Sequence, residues 1–176
     1  DDAVDQYRFD RNPRPAGRTP EPLLSIPGCA LVHFAVSNTE VRMATRLEGP
    51  ATRFLPFNQG TPDGGAGNPP NPGGHPTAYL WEHVWARDGW LEILGRYLVA
   101  QRNEKKEITR VLFPRFHQLA ATRALVDAVR AEGPGGRYLI QHSAGSGKTN
   151  SIAWTAHFLS DLHDGADRKV FDTVLV

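Results

Sequence analysis

The sequence predicts an α/β fold, and three observations carry that expectation. Apolar and polar residues alternate through two short runs between residues 30 and 47. A segment dominated by Gly and Pro, 59–76, divides the chain. A short apolar run, a glycine-bearing turn and an amphipathic stretch then follow one another over 137–162. The organisation expected is an α/β piece with a β-hairpin over 1–58, a linker over 59–78, a helical connector over 79–110, and a second domain over 111–176 that opens with a βαβ unit.

The first residues are acidic and polar, and Val4 and Tyr7 predict a short helix there. The stretch up to Leu23 holds Pro13, Pro15, Pro20 and Pro22, which bias it toward irregular, extended backbone. Residues 30–36, Ala-Leu-Val-His-Phe-Ala-Val, predict a strand, and Ser37, Asn38 and Thr39 predict a turn. In the following run Val41, Met43 and Thr45 alternate with Glu40, Arg42 and Arg46, as in a half-buried strand. Arg42, Arg46 and Arg53 fit either one positive surface or an ordinary solvated strand face. The Gly/Pro-rich segment holds too little apolar area to offset the entropy of ordering, so it predicts a linker or a long loop.

Beyond it, Trp90, Ile93, Leu94, Tyr97 and Leu98 recur at three- and four-residue spacing and predict a helix, with Asp88 as its N-cap. Trp81, Trp85 and Trp90 are expected to anchor a core, because apolar residues at helical spacing surround them. Residues 102–109 are charged and expected to be exposed. Leu119, Thr122, Leu125, Val126 and Val129 predict a second helix over 118–131, stopped by Gly133-Pro134-Gly135-Gly136.

Composition excludes several classes. The 176 residues are 40% hydrophobic and 22% charged with a net charge of +1, so this is no basic nucleic-acid tail. Any contact with DNA would run through local Arg clusters. The one cysteine, Cys29, excludes an internal disulfide and a paired-cysteine metal site, and fits a small core residue. The seven histidines show no metal-ligand spacing, and roles in packing, capping and surface polarity are expected for them. His163, near a helix C-terminus, fits complementation of the helix dipole. Ser143 and Ser146 lie in no nucleophile-elbow pattern. No apolar stretch is long enough to span a bilayer, and the start lacks a secretory signal, so a cytoplasmic location without membrane association is expected.

The chemistry is concentrated in His142-Ser143-Ala144-Gly145-Ser146-Gly147-Lys148-Thr149. Gly145 and Gly147 permit a turn whose successive N–H groups face an anion. The helix expected from Gly147 adds its own unpaired N–H groups and the positive end of its dipole. Lys148 supplies a mobile ammonium for the β- and γ-phosphates of ATP, and Thr149 a hydroxyl for Mg2+. The expected nucleotide-binding residues of the loop are Ala144, Gly145, Ser146, Gly147, Lys148 and Thr149. The general P-loop pattern GxxxxGK[ST] has Gly where this chain has His142, a departure that favours helicase-type ATPases. Residues 137–141 predict the strand before the loop. Ile152, Ala153, Ala156, Leu159 and Leu162 predict the buried face of the helix after it, and 171–176 predict a second, parallel strand. The sequence stops there, before any acidic motif that would hold magnesium and orient water. Weak nucleotide binding and no hydrolysis are therefore expected of the piece as given.

Taken in order, the motifs resemble the restriction subunit of type I restriction–modification enzymes. The similar stretches are Asp5-Gln6-Tyr7-Arg8, 30–36, Thr45-Arg46-Leu47-Glu48-Gly49, Arg53-Phe54-Leu55-Pro56-Phe57-Asn58, Gly67-Asn68-Pro69, Tyr79-Leu80-Trp81-Glu82, Phe113-Pro114-Arg115-Phe116-His117-Gln118 and 138–154. The resemblance covers nearly the whole chain. It implies the end of a nuclease domain whose catalytic carboxylates lie outside this sequence, a connector, and the first βαβ of a RecA-like motor lobe. It implies an ATP-dependent site-specific deoxyribonuclease as the parent protein, with double-stranded DNA and the modification and specificity subunits as partners. It also implies that Gln118 reads adenine, which suits an amide able to donate and accept, although a surface position on an ordinary helix fits the residue as well. Two other readings stay open: a different helicase-like ATPase, and a scaffold segment whose loop binds no nucleotide.

Overall fold

The computed structural model of the chain describes residues 2–11, 13, 21–25 and 30–176. It combines helices with small antiparallel sheets, compatible with the α/β class in general terms. By contacts the chain divides into two compact units, Asp1–Pro114 and Arg115–Val176. The expected boundaries near residues 58, 78 and 110 all lie inside the first. Cys29, Pro15 and Pro20 lie outside the described residues.

In the first unit, α1 (Asp2–Asp5) runs on into a π-helical segment, Gln6–Asp10, with Val4 buried. The hairpin expected from the alternation is present. β1 (His33–Val36) pairs antiparallel with β2 (Val41–Ala44), and Val36 stands opposite Val41. Ser37 fixes the turn: its hydroxyl accepts N–H bonds from Thr39 and Glu40. Beyond the pattern read from sequence, β3 (Leu55–Pro56) adds a third strand beside β2. Arg42 and Arg46 each lie beside a glutamate, Glu40 and Glu48, so the face they share is a mixed-charge one.

The Gly/Pro-rich segment is a long loop, one of the two forms expected of it, and side chains fasten it down. Gln59 donates its N–H to Asn68 Oδ1, and the Asn68 amide donates to Thr39 O and to Asn58 Oδ1. Asn58 Oδ1 in turn accepts the N–H of Val41. Two asparagine side chains thus fasten the loop to the β1–β2 turn, satisfying backbone groups that no strand reaches. Thr77 Oγ1 adds a bond to Ser37 O.

Helical backbone follows as a π segment, Leu80–Val84, then α2 (Arg87–Glu92), continued by a second π segment, Ile93–Tyr97. The N-cap of α2 is Ala86, and Asp88 sits in its first turn without a capping bond, where its charge still opposes the helix dipole favourably. The core is aromatic. Phe34 meets Phe57, Trp85 and Phe113 edge-on at 5.2, 5.5 and 5.9 Å, and Trp90 lies 6.0 Å from Phe113. Edge-to-face pairs of this kind add to simple area burial. Trp90, half-buried beside Phe113, anchors the core as expected, whereas Trp81 and Trp85 are 45% and 42% exposed, and Trp85 only lays one edge on Phe34. Residues 98–112 form an unforeseen ribbon: β4 (Val99–Arg102) pairs antiparallel with β5 (Ile108–Leu112).

The second unit is built on α3 (Phe116–Glu132) and α4 (Lys148–Ser160), which pack together. α3 buries Gln118, Leu119, Thr122, Val126 and Val129 along one face, as its periodicity predicts. Gly133, at φ 80°, ends it. α4 corrects the expectation. It buries Ser151, Trp154 and Phe158, while of the expected aliphatic row Leu162 is buried and Ile152 is half exposed. The aliphatic row faces a groove of about 300 Å³, shared with Ile140 and with Val174, Leu175 and Val176. Residues 137–141 and 171–176 lack the ladder bonds expected of strands, so no βαβ sheet is formed among the described residues. No described helix is long and apolar enough to cross a membrane.

Candidate functional site

The site lies where the extended backbone at 137–142 turns into α4. Gly145 takes a φ of 72° and Gly147 a φ of 83° with ψ 36°, the left-handed region that a side chain makes costly. Gly147 is also the N-cap of α4. A Cβ there would sit 2.5 Å from the amide nitrogen of Gln118, so the position needs glycine for close approach as well as for backbone sign.

Around this turn the hydrogen bonding is unequal. Ser146 N–H reaches Ser143 O, and the N–H groups of Asn150 and Ser151 return to Gly147 O. Among the described residues, those of Gly145, Gly147, Lys148 and Thr149 have no partner. Two of them are the first N–H groups of a helix, which its own carbonyls cannot satisfy. The Lys148 ammonium folds back over the loop and donates to His142 O at 3.2 Å and Ser143 O at 3.1 Å. It is exposed and meets no carboxylate among the described residues. Thr149 and Ala144 are exposed as well. Ser146 is buried, and its hydroxyl has no partner. The expected loop residues are thus brought together in one turn. A cation is held at its mouth, and donors are left open around it.

Gln118 is placed differently from its expected role. It is 3% exposed, and its Nε2 donates to Ser146 O at 3.2 Å and Gly147 O at 2.9 Å. Its Oε1 accepts the N–H of Arg115, which caps the start of α3 from the third helical position. Both amide protons are therefore committed to the loop. In this arrangement Gln118 is a buttress that ties α3 to the turn.

His117 went unnoticed in the sequence and belongs to the same buttress. Its Nε2 lies 3.0 Å from Ser146 O, and since a carbonyl only accepts, that nitrogen carries the proton. The His142 ring stands edge-on to it at 4.9 Å. Burial holds the His117 pKa below the ordinary histidine value; the bond to Ser146 opposes this, and the charges of His142 and Arg115 assist it. The available signal was an adjacent pair of hydrogen-bonding side chains in the first turn of α3.

Among the described residues no group of three or more His, Cys, Asp or Glu side chains is placed to hold a metal. Of the histidines, His117 and His142 meet as a pair, and His33 is packed edge-on against Tyr7. No protein-family model, curated protein or solved structure matches this chain.

Proposed function

We propose that the second unit carries the ATP-binding loop of a DNA-translocating motor. Following the sequence resemblance, the parent protein would be the restriction subunit of a type I restriction–modification enzyme. In this reading the first unit is the trailing part of a nuclease domain with its connector. Residues 115–176 open a RecA-like lobe that works on double-stranded DNA beside modification and specificity subunits. The parent would be an ATP-dependent deoxyribonuclease acting in the cytoplasm.

One observation carries the reading. The Lys148 ammonium rests on the carbonyls of His142 and Ser143, while four neighbouring N–H groups, at Gly145, Gly147, Lys148 and Thr149, lack partners. Unpaired donors at a helix N-terminus, joined by a mobile cation, suit a chain of phosphates. The buried, unpartnered hydroxyl of Ser146 adds an orphan polar group to the same turn. The donor set therefore fits ATP: the loop N–H groups would hold phosphate oxygens, and Lys148 would bridge the β- and γ-phosphates. Thr149 would offer its hydroxyl to Mg2+, which supplies charge neutralisation when bound. Metal binding through a hydroxyl and the phosphates themselves needs no cluster of protein carboxylates or imidazoles. Gln118 and His117 act as positioning residues for the loop carbonyls. With both amide protons committed and Oε1 already accepting from Arg115, Gln118 would meet adenine only through the second lone pair of Oε1.

Titration of a fluorescent ATP analogue with Mg2+ against the chain and its Lys148→Ala variant tests this. Saturable binding by the first, weakened at least about tenfold in the second, is expected when one charged partner of the phosphates is removed. Equal and negligible binding by both, in a version carrying the complete lobe, would leave a scaffold role instead.

A further inference from the structure

We propose that the β4–β5 ribbon is a docking element for the phosphate backbone of duplex DNA. Residues 99–107 are all exposed, as are Thr109 and Arg110, so the ribbon stands clear of the core along most of its length. It is anchored at its base by Val111, which is buried. Its tip is organised: Asn103 Oδ1 accepts the N–H of Glu107, Asn103 Nδ2 donates to the Glu107 carboxylate, and Arg102 donates to Lys106 O. Lys106 takes a φ of 63° at that turn. Lys105, Lys106 and Arg110 remain without an ion-pair partner among the described residues.

Charge identifies the partner. The ribbon carries four cations, Arg102, Lys105, Lys106 and Arg110, against two carboxylates, Glu104 and Glu107, a surplus of two. The whole chain has a surplus of one, so the remaining residues together are slightly acidic. Positive charge is thus in excess on an exposed ribbon, the pattern that attracts a polyanion. The tip, 101–107, presents no apolar side chain that could form the dry centre of a protein interface. A two-stranded ribbon also has the width that the major groove of B-DNA, about 12 Å, admits. Gln101 stands opposite Arg110, so one face joins an amide to a guanidinium, both able to donate to phosphate. The inference concerns the first unit and does not depend on the loop at Lys148, although a DNA partner agrees with the function proposed above.

The test measures binding of the 176-residue chain to a fluorescein-labelled mixed-sequence duplex of about 30 base pairs, without nucleotide, from about 50 to 200 mM salt, in the range where phosphate neutralisation dominates affinity. Replacing Lys105, Lys106 and Arg110 by Gln should weaken binding at least about tenfold at the low-salt end. It should also reduce the slope of log affinity against log salt by about 2 to 3, near 0.9 for each phosphate that is no longer neutralised. A control that replaces Arg53, Arg137 and Lys169, three exposed cations elsewhere, should leave both within about twofold. Because no nucleotide is present, this readout is separate from that of the nucleotide reading. Circular dichroism checks that all variants stay folded. No binding by the wild-type chain, an equal weakening in the control, or tighter binding to single strands or to polyglutamate would each overturn the assignment.

Discussion

The two units use similar apolar material to different effect. In the first, Tyr97, Phe57, Leu80 and Ile93 are fully buried, and β1, β2 and β3 pair in sequence order. In the second, Leu139, Leu175 and Val176 are 92, 91 and 93% exposed, and the two extended segments that hold them form no ladder. The difference teaches what an apolar run needs to become a strand. A hairpin brings its own partner across a short turn, so β1 and β2 satisfy each other's backbone. Parallel strands joined through a helix need further strands and cover before the arrangement is stable. α4 shows the same unmet demand. One face, with Trp154 and Phe158, is buried, while the aliphatic face of Ile152, Ala156 and Leu159 looks into an open groove that Ala121 and Leu125 of α3 also line. A helix apolar on both sides is one suited to being covered on both.

The contrast can be sharpened first by attacking the closed core. Phe57→Ala removes a fully buried ring that touches Phe34 and Phe113, and should cost about 3–5 kcal/mol. Hydrogen exchange read by mass spectrometry should show faster exchange in peptides from the first unit and little change in those covering 115–176. In the second unit the largest effect belongs to Gln118→Ala. It uncaps α3 and removes the Gln118 bonds to Ser146 O and Gly147 O, which keep His117 Nε2 and the N–H groups of Asn150 and Ser151 as donors, at a cost of about 2–3 kcal/mol. Here the peptides of 115–176 should respond. Gly147→Ala follows at about 1–3 kcal/mol, because its φ of 83° and the nearby Gln118 amide both oppose a Cβ. Urea midpoints would rank these three variants.

The smallest effect is a pH dependence that each unit supplies through one histidine. Burial lowers the pKa of His33, against a raising contribution from a backbone bond to Leu24, and burial likewise lowers that of His117. A depressed histidine pKa means the unfolded chain binds a proton that the folded one refuses. Stability is therefore full above about pH 6.5 and falls as the pH drops from there toward the folded value. Urea midpoints should decline as the pH falls from neutrality to about 5. His33→Phe should flatten the decline in first-unit peptides, and His117→Gln should flatten it in those of the second.

Legibility in the sequence followed the same division. The β1–β2 hairpin was readable because Val41 and Met43 alternate with charged neighbours after a Ser-Asn-Thr turn. α3 was readable because its apolar residues keep one period over several turns. The loop at 142–149 was readable from Gly, Lys and Thr at fixed spacing, and its residues do lie in one turn. What escaped depends on partners far along the chain. Asn58 and Asn68 look like loop residues until they are seen binding Thr39 and Val41. The β4–β5 ribbon is written in charged residues that resemble a loop, since its pairing rests on backbone bonds rather than apolar alternation. The orientation of α4 was misjudged because two large aromatics outweigh a longer row of small aliphatics. Gln118 was read for a ligand, whereas its amide protons are spent on the neighbouring turn.

In the proposed function the turn before α4 grips phosphate through its main chain. Backbone 1H–15N spectra of the labelled chain, recorded as magnesium pyrophosphate is added, address it residue by residue. Saturable shifts centred on Gly145, Gly147, Lys148 and Thr149, abolished in Lys148→Ala, are the predicted result. Shifts absent from those four amides, or equally large in the variant, would contradict it.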